Sequence, residues 1–290
     1  MNSVIADMLK EAKPRSLDDH VRILREILQQ VALLGLWRGG FFRHAAFYGG
    51  TALRLLHGLD RYSEDLDFSL LAPDDTFDLK GHVERLREEL GAFGFDLRVE
   101  VREPAADSAI QSAFLKGGTR EQMLVLSAGQ DLMRMIPHGQ ILKVKLEVDT
   151  NPPPGFETEM CFLFRPVQFA VRAYVLPDLL AGKMHAVLCR KWKNRVKGRD
   201  WYDLAWYAGH APRLKLSHLE SRMRQSGHWT GSRPLDEMEW HKLMEERISA
   251  LDVNQARREV ARFVADPLSL ELWSQDFFRA VAQKLVIDPS

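Results

Sequence analysis

The chain has 290 residues, 46% of them hydrophobic and 28% charged, which is the balance of a globular protein with a substantial buried core rather than a disordered or fibrous chain. Forty Lys and Arg offset forty Asp and Glu, so net charge gives no global argument for nucleic acid, and only the local distribution of charge is informative. No apolar run approaches the ~18 residues of a membrane span, residues 1–7 lack the basic start and apolar stretch of a signal peptide, and two well-separated cysteines, Cys161 and Cys189, fit a reducing cytoplasm rather than a disulfide framework.

Ser16-Leu17-Asp18-Asp19 reads as a capping box opening a long amphipathic helix, with Val21, Ile23, Leu24, Ile27, Leu28, Val31 and Leu34 at helical spacing. Gly49-Gly50-Thr51 is a small-residue turn leading into a short helix over 51–57. The segment 65–71 is a strand with carboxylates two apart. Side chains two apart on a strand point the same way, so Asp65 and Asp67 share one face and Leu66, Phe68 and Leu70 the other. Residues 78–93 form a second amphipathic helix, with Val83, Leu86, Leu90 and Phe93 inward. Residues 95–102 alternate as a half-buried strand, 123–127 are a further strand candidate, and 141–149 alternate again, with Lys143, Lys145, Glu147 and Asp149 on one face before Pro152-Pro153-Pro154-Gly155 stops them. Edge strands are expected at 162–164 and 169–171.

Beyond about residue 172 the pattern becomes helical: 179–192, 201–208, 216–225, 235–250, 254–264 and 268–285, the last in one or two pieces. Two domains follow, 1–172 of mixed α/β character and an all-helical 173–290.

Two carboxylates as close as Asp65 and Asp67 repel unless a cation lies between them. Hard oxygen donors favour Mg²⁺, which takes one or two carboxylates together with phosphate oxygens. A Gly-Gly-Thr turn opening a helix can turn backbone N–H groups toward a phosphate. These features together point to a metal-dependent enzyme acting on a nucleoside triphosphate, although each alone has a plain structural explanation: the wet face of a sheet, or an ordinary turn. Two-metal phosphoryl chemistry usually wants a third carboxylate from a neighbouring strand, and Glu147 or Asp149 can supply it. Lys183, early in an otherwise apolar helix, is a point charge suited to triphosphate oxygens. Asp200 can cap the helix beginning near it, pair with Lys183, or orient an acceptor group; Asp203 follows one turn later. From Lys183 to Arg199 there are seven Lys or Arg and no acid, with Trp192 among them, a block able to track a phosphate backbone or simply to suit a helix end.

Gly49-Gly50-Thr51-Ala52-Leu53-Arg54, Arg61-x-Ser63-Glu64-Asp65-Leu66-Asp67, Lys145-Leu146-Glu147-Val148, Leu180-Ala181-Gly182-Lys183-Met184-His185-Ala186 and Arg199-Asp200-Trp201-Tyr202-Asp203-Leu204, in this order, resemble the AbiEii/AbiGii toxin family of nucleotidyltransferases, which includes the MenT toxins. The glycine turn with the Asp65-x-Asp67 stretch, and the last motif, are the specific ones; the two between are weak alone, and the resemblance covers roughly residues 20–208. It implies an α+β, polymerase-β-like nucleotidyltransferase domain with a mixed sheet, followed by a helical domain that contributes Lys183 and Asp200 to the site. It also implies metal at Asp65, Asp67 and Glu147, triphosphate at Gly49, Gly50, Thr51 and Ser63 and at Lys183, and Asp200 as the second-half acid. Two departures stand out. This chain has Gly-Gly-Thr where broader nucleotidyltransferases have Gly-Ser, and its strand ends Glu147-Val148-Asp149, which leaves the third carboxylate open between the two acids. The function implied is Mg²⁺-dependent transfer of NMP from an NTP to an acceptor such as the tRNA 3′ end, by the toxin of a toxin–antitoxin pair acting in abortive infection. The alternatives are transfer to a protein, a two-metal nuclease, or a non-catalytic module that binds RNA or a protein partner.

Overall fold

The computed structural model describes residues 3–102, 108–118, 141–190, 196–210 and 213–288. The strand expected at 123–127 lies outside them. The chain divides into two compact units. The first comprises 1–56, 63–152 and 160–173, and the second comprises 57–62, 153–159 and 174–290.

The first unit is built on a seven-stranded mixed sheet. Its strands are β1 (Ala45–Tyr48), β2 (Asp65–Leu70), β3 (Arg98–Arg102), β4 (Ile110–Gly118), β5 (Ile141–Asp149), β6 (Thr158–Leu163) and β7 (Phe169–Tyr174), in the order β3-β4-β5-β2-β1-β7-β6. β2 runs antiparallel to β1 and parallel to β5, and β1 runs parallel to β7. Strict alternation in β5 buries Leu142, Val144, Leu146 and Val148 and leaves the intervening charged residues at least partly exposed. These apolar side chains share a core with Leu66 and Phe68 of β2 and with Ile27, Leu28, Val31 and Leu34 of the long helix α2 (Leu17–Arg38), which follows α1 (Ser3–Glu11). Ser16 caps α2 as its sequence requires, accepting a hydrogen bond from the Asp19 N–H at 3.1 Å. Helix α4 (Lys80–Ala92) packs on α2 where Gly35 lets the two approach: a Cβ there would stand 3.0 Å from the Leu86 Cα. The short helix α3 (Gly49–His57) joins β1 to the loop before β2.

The second unit carries α5 (Leu176–Cys189), α6 (Gly198–His210), α7 (Leu216–Gln225), α8 (Glu237–Ser249), α9 (Val253–Ala261) and α10 (Gln275–Gln283) around Trp201, Leu204, Tyr207, Trp240 and Phe278. It is not all-helical. β8 (Arg213–Lys215) and β9 (Val286–Asp288) form a two-stranded parallel ladder. Three-residue strands are too short to show an alternation, so helical periodicity on either side hides them. The segment expected as helix over 268–285 is a 3₁₀ turn (Pro267–Leu270) followed by α10, whose N-cap Ser274 accepts from the Phe277 N–H. Nor did local pattern announce β1 and β4: β1 is four residues, and β4 places polar and apolar residues side by side.

Candidate active site

In the parallel ladder of β2 and β5, Asp65 pairs with Lys145, Asp67 with Glu147 and Ser69 with Asp149. Residues paired across a ladder point to the same face, so Asp65, Asp67 and Glu147 occupy one side of the sheet, opposite the apolar core. Register also separates the two acids of β5. Glu147 stands level with Asp67, whereas Asp149 lies level with the buried Ser69 and accepts the Asn151 N–H at 3.0 Å. The Glu147 carboxylate lies 2.5 Å from the Lys145 ammonium. Among the described residues, no trio of these carboxylates brings its oxygens within 4.8 Å of one another. As a donor set, three carboxylates on adjacent strands still suit a hard divalent cation.

The glycine turn is shaped around this acidic face. Gly49 has φ +82°, a conformation that side chains disfavour, and a Cβ there would run into the Asp67 carboxylate, with the Asp67 Cβ 3.0 Å away. Gly50 follows in the first turn of α3. Thr51 is fully buried, and its hydroxyl donates to the Asp65 carbonyl, tying α3 to β2. Its side chain is therefore spent on the fold, and what this turn can offer a ligand is backbone. Ser63 holds the entry to β2 through its carbonyl, which accepts from Gln29 Nε2 at 3.2 Å, and the adjacent Glu64 meets Arg25 at 3.3 Å.

The second unit contains a buried charge network. The Lys183 Nζ on α5 lies 2.7 Å from both Asp200 Oδ1 and Asp203 Oδ2 on α6. Asp203 also receives Arg61 in a two-pronged contact, Nε to Oδ1 at 2.5 Å and Nη2 to Oδ2 at 2.6 Å. Arg61 and Asp203 are 3% and 0% exposed, so the pair is sealed from water. Helix α6 begins at Gly198, which places Asp200 inside the first turn with its carboxylate on Lys183 rather than at the cap. Burial pushes the Asp200 carboxyl up, but Lys183, then Lys197 and Arg190, outweigh it and hold its pKa at about 2. Asp203 is depressed in the same way: burial opposes, and Arg61 and Lys183 prevail. Sequence alone ranked Asp203 below Asp200 and gave Arg61 no role of its own. The available signal was the three-residue spacing that puts Asp200 and Asp203 on one helical face.

Beside Asp200 lies a cavity of about 300 Å³ whose wall includes Arg190, Lys197, Arg247, Trp201 and Leu251. Arg247 is fixed there by the last carbonyls of α5, with Nε on the Val187 oxygen at 2.9 Å and Nη2 on the Arg190 oxygen at 2.6 Å. Burial lowers the Lys197 pKa to about 8, against Asp200 and with the help of Arg190, Lys183 and Arg199. The cations of this wall answer an acid that shares it: Asp200 is also part of the lining, and Arg190 reaches its carboxylate at 3.7 Å. The basic run 183–199 is not one surface. Lys183 is held between two aspartates by two of its three N–H groups, and Arg199 reaches Glu259 at 3.5 Å while covering the Phe263 ring at 4.1 Å. Lys191, Lys193 and Arg195 lie outside the described residues.

The mixed sheet, with its paired aspartates beside a glycine turn, has a fold that known structures share. One is a Helicobacter pylori protein assigned as a nucleotidyltransferase, at 16% identity and TM-score 0.50, covering 89% of this chain and 92% of that one. Another is JHP933 of Helicobacter pylori, at 16% identity and TM-score 0.51, covering 90% of each chain. No protein of curated function matches in sequence. The model of the AbiEii nucleotidyl transferase toxins of type IV toxin–antitoxin systems matches residues 31–284, and the chain belongs to that family. It is a nucleotidyltransferase. No helix among the described residues is long and apolar enough to cross a membrane.

Proposed function

We propose that this toxin transfers NMP from an NTP to the 3′ end of a tRNA, with Mg²⁺ held by Asp65, Asp67 and Glu147. The observation that supports this most is the register of β2 on β5, which aligns Asp67 with Glu147 while Gly49 packs against the Asp67 carboxylate. A bound Mg²⁺ would supply charge stabilisation of the triphosphate and of the departing pyrophosphate. The chain's own part is positioning. Backbone N–H groups of Gly49, Gly50 and Thr51 donate to triphosphate oxygens at the start of α3, and Ser63, before β2, is a further triphosphate contact. Lys183 offsets triphosphate charge, and Asp200 positions Lys183. The acceptor hydroxyl oxygen bonds to the α-phosphorus, the bond to pyrophosphate breaks, and the hydroxyl proton leaves to solvent. A cognate antitoxin, a cytoplasmic setting and a role in phage defence complete the reading.

The test is purified protein with α-labelled NTPs and total tRNA. A ribonuclease-sensitive labelled product that disappears in Asp65→Asn is expected. A product digested by protease instead would move the acceptor to protein. RNA binding without turnover, unchanged in Asp65→Asn/Asp67→Asn and steeply salt-dependent, would replace the enzyme by a binding module at this acceptor.

A further inference from the structure

Away from the acidic sheet face, His185, Cys189 and His228 bring their ligand atoms within 4.8 Å of one another. The cause is local and legible. His185 and Cys189 are four residues apart on α5, so both face the same way. Helix α7 ends in a turn that delivers the third group. Gly227 takes φ +73°, its N–H donates to the Arg224 carbonyl at 3.0 Å, and the His228 N–H donates to the Met223 carbonyl at 2.8 Å. This pair of bonds is the Schellman closure, which fixes where the residue after the glycine goes. The two rings meet edge to face, with centroids 6.2 Å apart, and share the Ser226 hydroxyl, at 2.8 Å from His185 Nε2 and 2.9 Å from His228 Nδ1.

We propose that His185, Cys189 and His228 form a Zn²⁺ site within the second unit. Two imidazoles and a thiolate are ligands of borderline-soft character, which select Zn²⁺ over Mg²⁺ or Ca²⁺. Bond lengths of ~2.0 Å to nitrogen and ~2.3 Å to sulfur require the ligand atoms to draw in by about 1 Å. His228 is exposed and on a turn, so it is the group that moves, while His185 and Cys189 are set by the helix. Arg222 and Arg190 act on His185 and oppose a bare cation there. The Cys189 thiol gives its proton to solvent on binding, and the thiolate brings the compensating negative charge. A bound ion would lock the end of α7 onto α5, the helix that carries Lys183. The fourth position is left for water.

The experiment uses the full chain without a histidine tag, stripped with chelator and titrated with Co²⁺ as a spectroscopic stand-in for Zn²⁺. A sulfur-to-cobalt charge-transfer band, saturating at one ion per chain and bleached by added Zn²⁺, is expected. It should persist in Cys161→Ser and vanish in Cys189→Ser. The carboxylates of the sheet cannot produce such a band, so this result is independent of the proposed transferase site. His228→Ala, at an exposed position, should weaken Zn²⁺ binding on the order of tenfold or more with unchanged far-UV circular dichroism. Absence of the band in the wild-type chain, its survival in Cys189→Ser, or equal Zn²⁺ affinity in His228→Ala overturns the site.

Discussion

Replacing Asp203 by Ala isolates the energetic role of the buried network. The substitution removes the carboxylate that takes both prongs of Arg61, at 2.5 and 2.6 Å, and one of two that hold Lys183. Lys183 keeps Asp200 at 2.7 Å. Arg61, buried, keeps the Tyr62 carbonyl at 3.0 Å but loses its counter-charge. Stranding a buried charge in this way costs about 3–5 kcal/mol. With a urea m-value of about 2 kcal/mol/M, the midpoint should fall by about 2 M. Six of the seven tryptophans lie beyond residue 190, so fluorescence follows unfolding of the second unit. The mechanism makes a second, sharper demand. If the cost is the stranded guanidinium, Arg61→Met added to Asp203→Ala should recover part of it, since an apolar replacement of both partners is often close to neutral. A midpoint shift below about 0.5 M, or a double variant that is less stable than Asp203→Ala by the full cost of Arg61→Met alone, would refute the account.

Three further outcomes follow from the geometry. The Asp200 pKa is depressed from 3.8 to about 2, so its contribution is complete above pH ~4 and is lost as pH falls toward 2, where the unfolded chain binds more protons; this amounts to about 2 kcal/mol, and Asp200→Asn should flatten that part of a stability–pH curve. Gly49→Ala must either abandon φ +82° or displace the Asp67 carboxylate, so nucleotidyl transfer should drop by about a hundredfold or more with helix content retained, and an Ala variant of wild-type activity would show that the close approach is dispensable. Gly198→Ala should destabilise the second unit by about 1–3 kcal/mol, because its Cβ would press on the Ala256 carbonyl, with the Ala256 Cα 3.2 Å away; an unchanged urea midpoint would contradict the packing of α6 on α9.

What the sequence determined by itself is what period and spacing encode. The helix starting at Ser16, the alternation of 141–149 and the two-residue spacing of Asp65 and Asp67 all arise within a few residues, where backbone geometry alone sets which side chains share a face. Motif order was enough to indicate the nucleotidyltransferase family. Tertiary structure decided what depends on which strands become neighbours. Glu147 rather than Asp149 stands level with Asp67 because of the parallel register of β2 on β5, a pairing that spans some eighty residues and leaves no local trace. Thr51 is taken by the Asp65 carbonyl for the same kind of reason. Asp203, the lesser candidate beside Asp200, is the buried centre on which Arg61 and Lys183 converge, and its ion pair with Arg61 joins residues 142 positions apart. Local sequence states which face a residue occupies; the fold alone supplies its partner there.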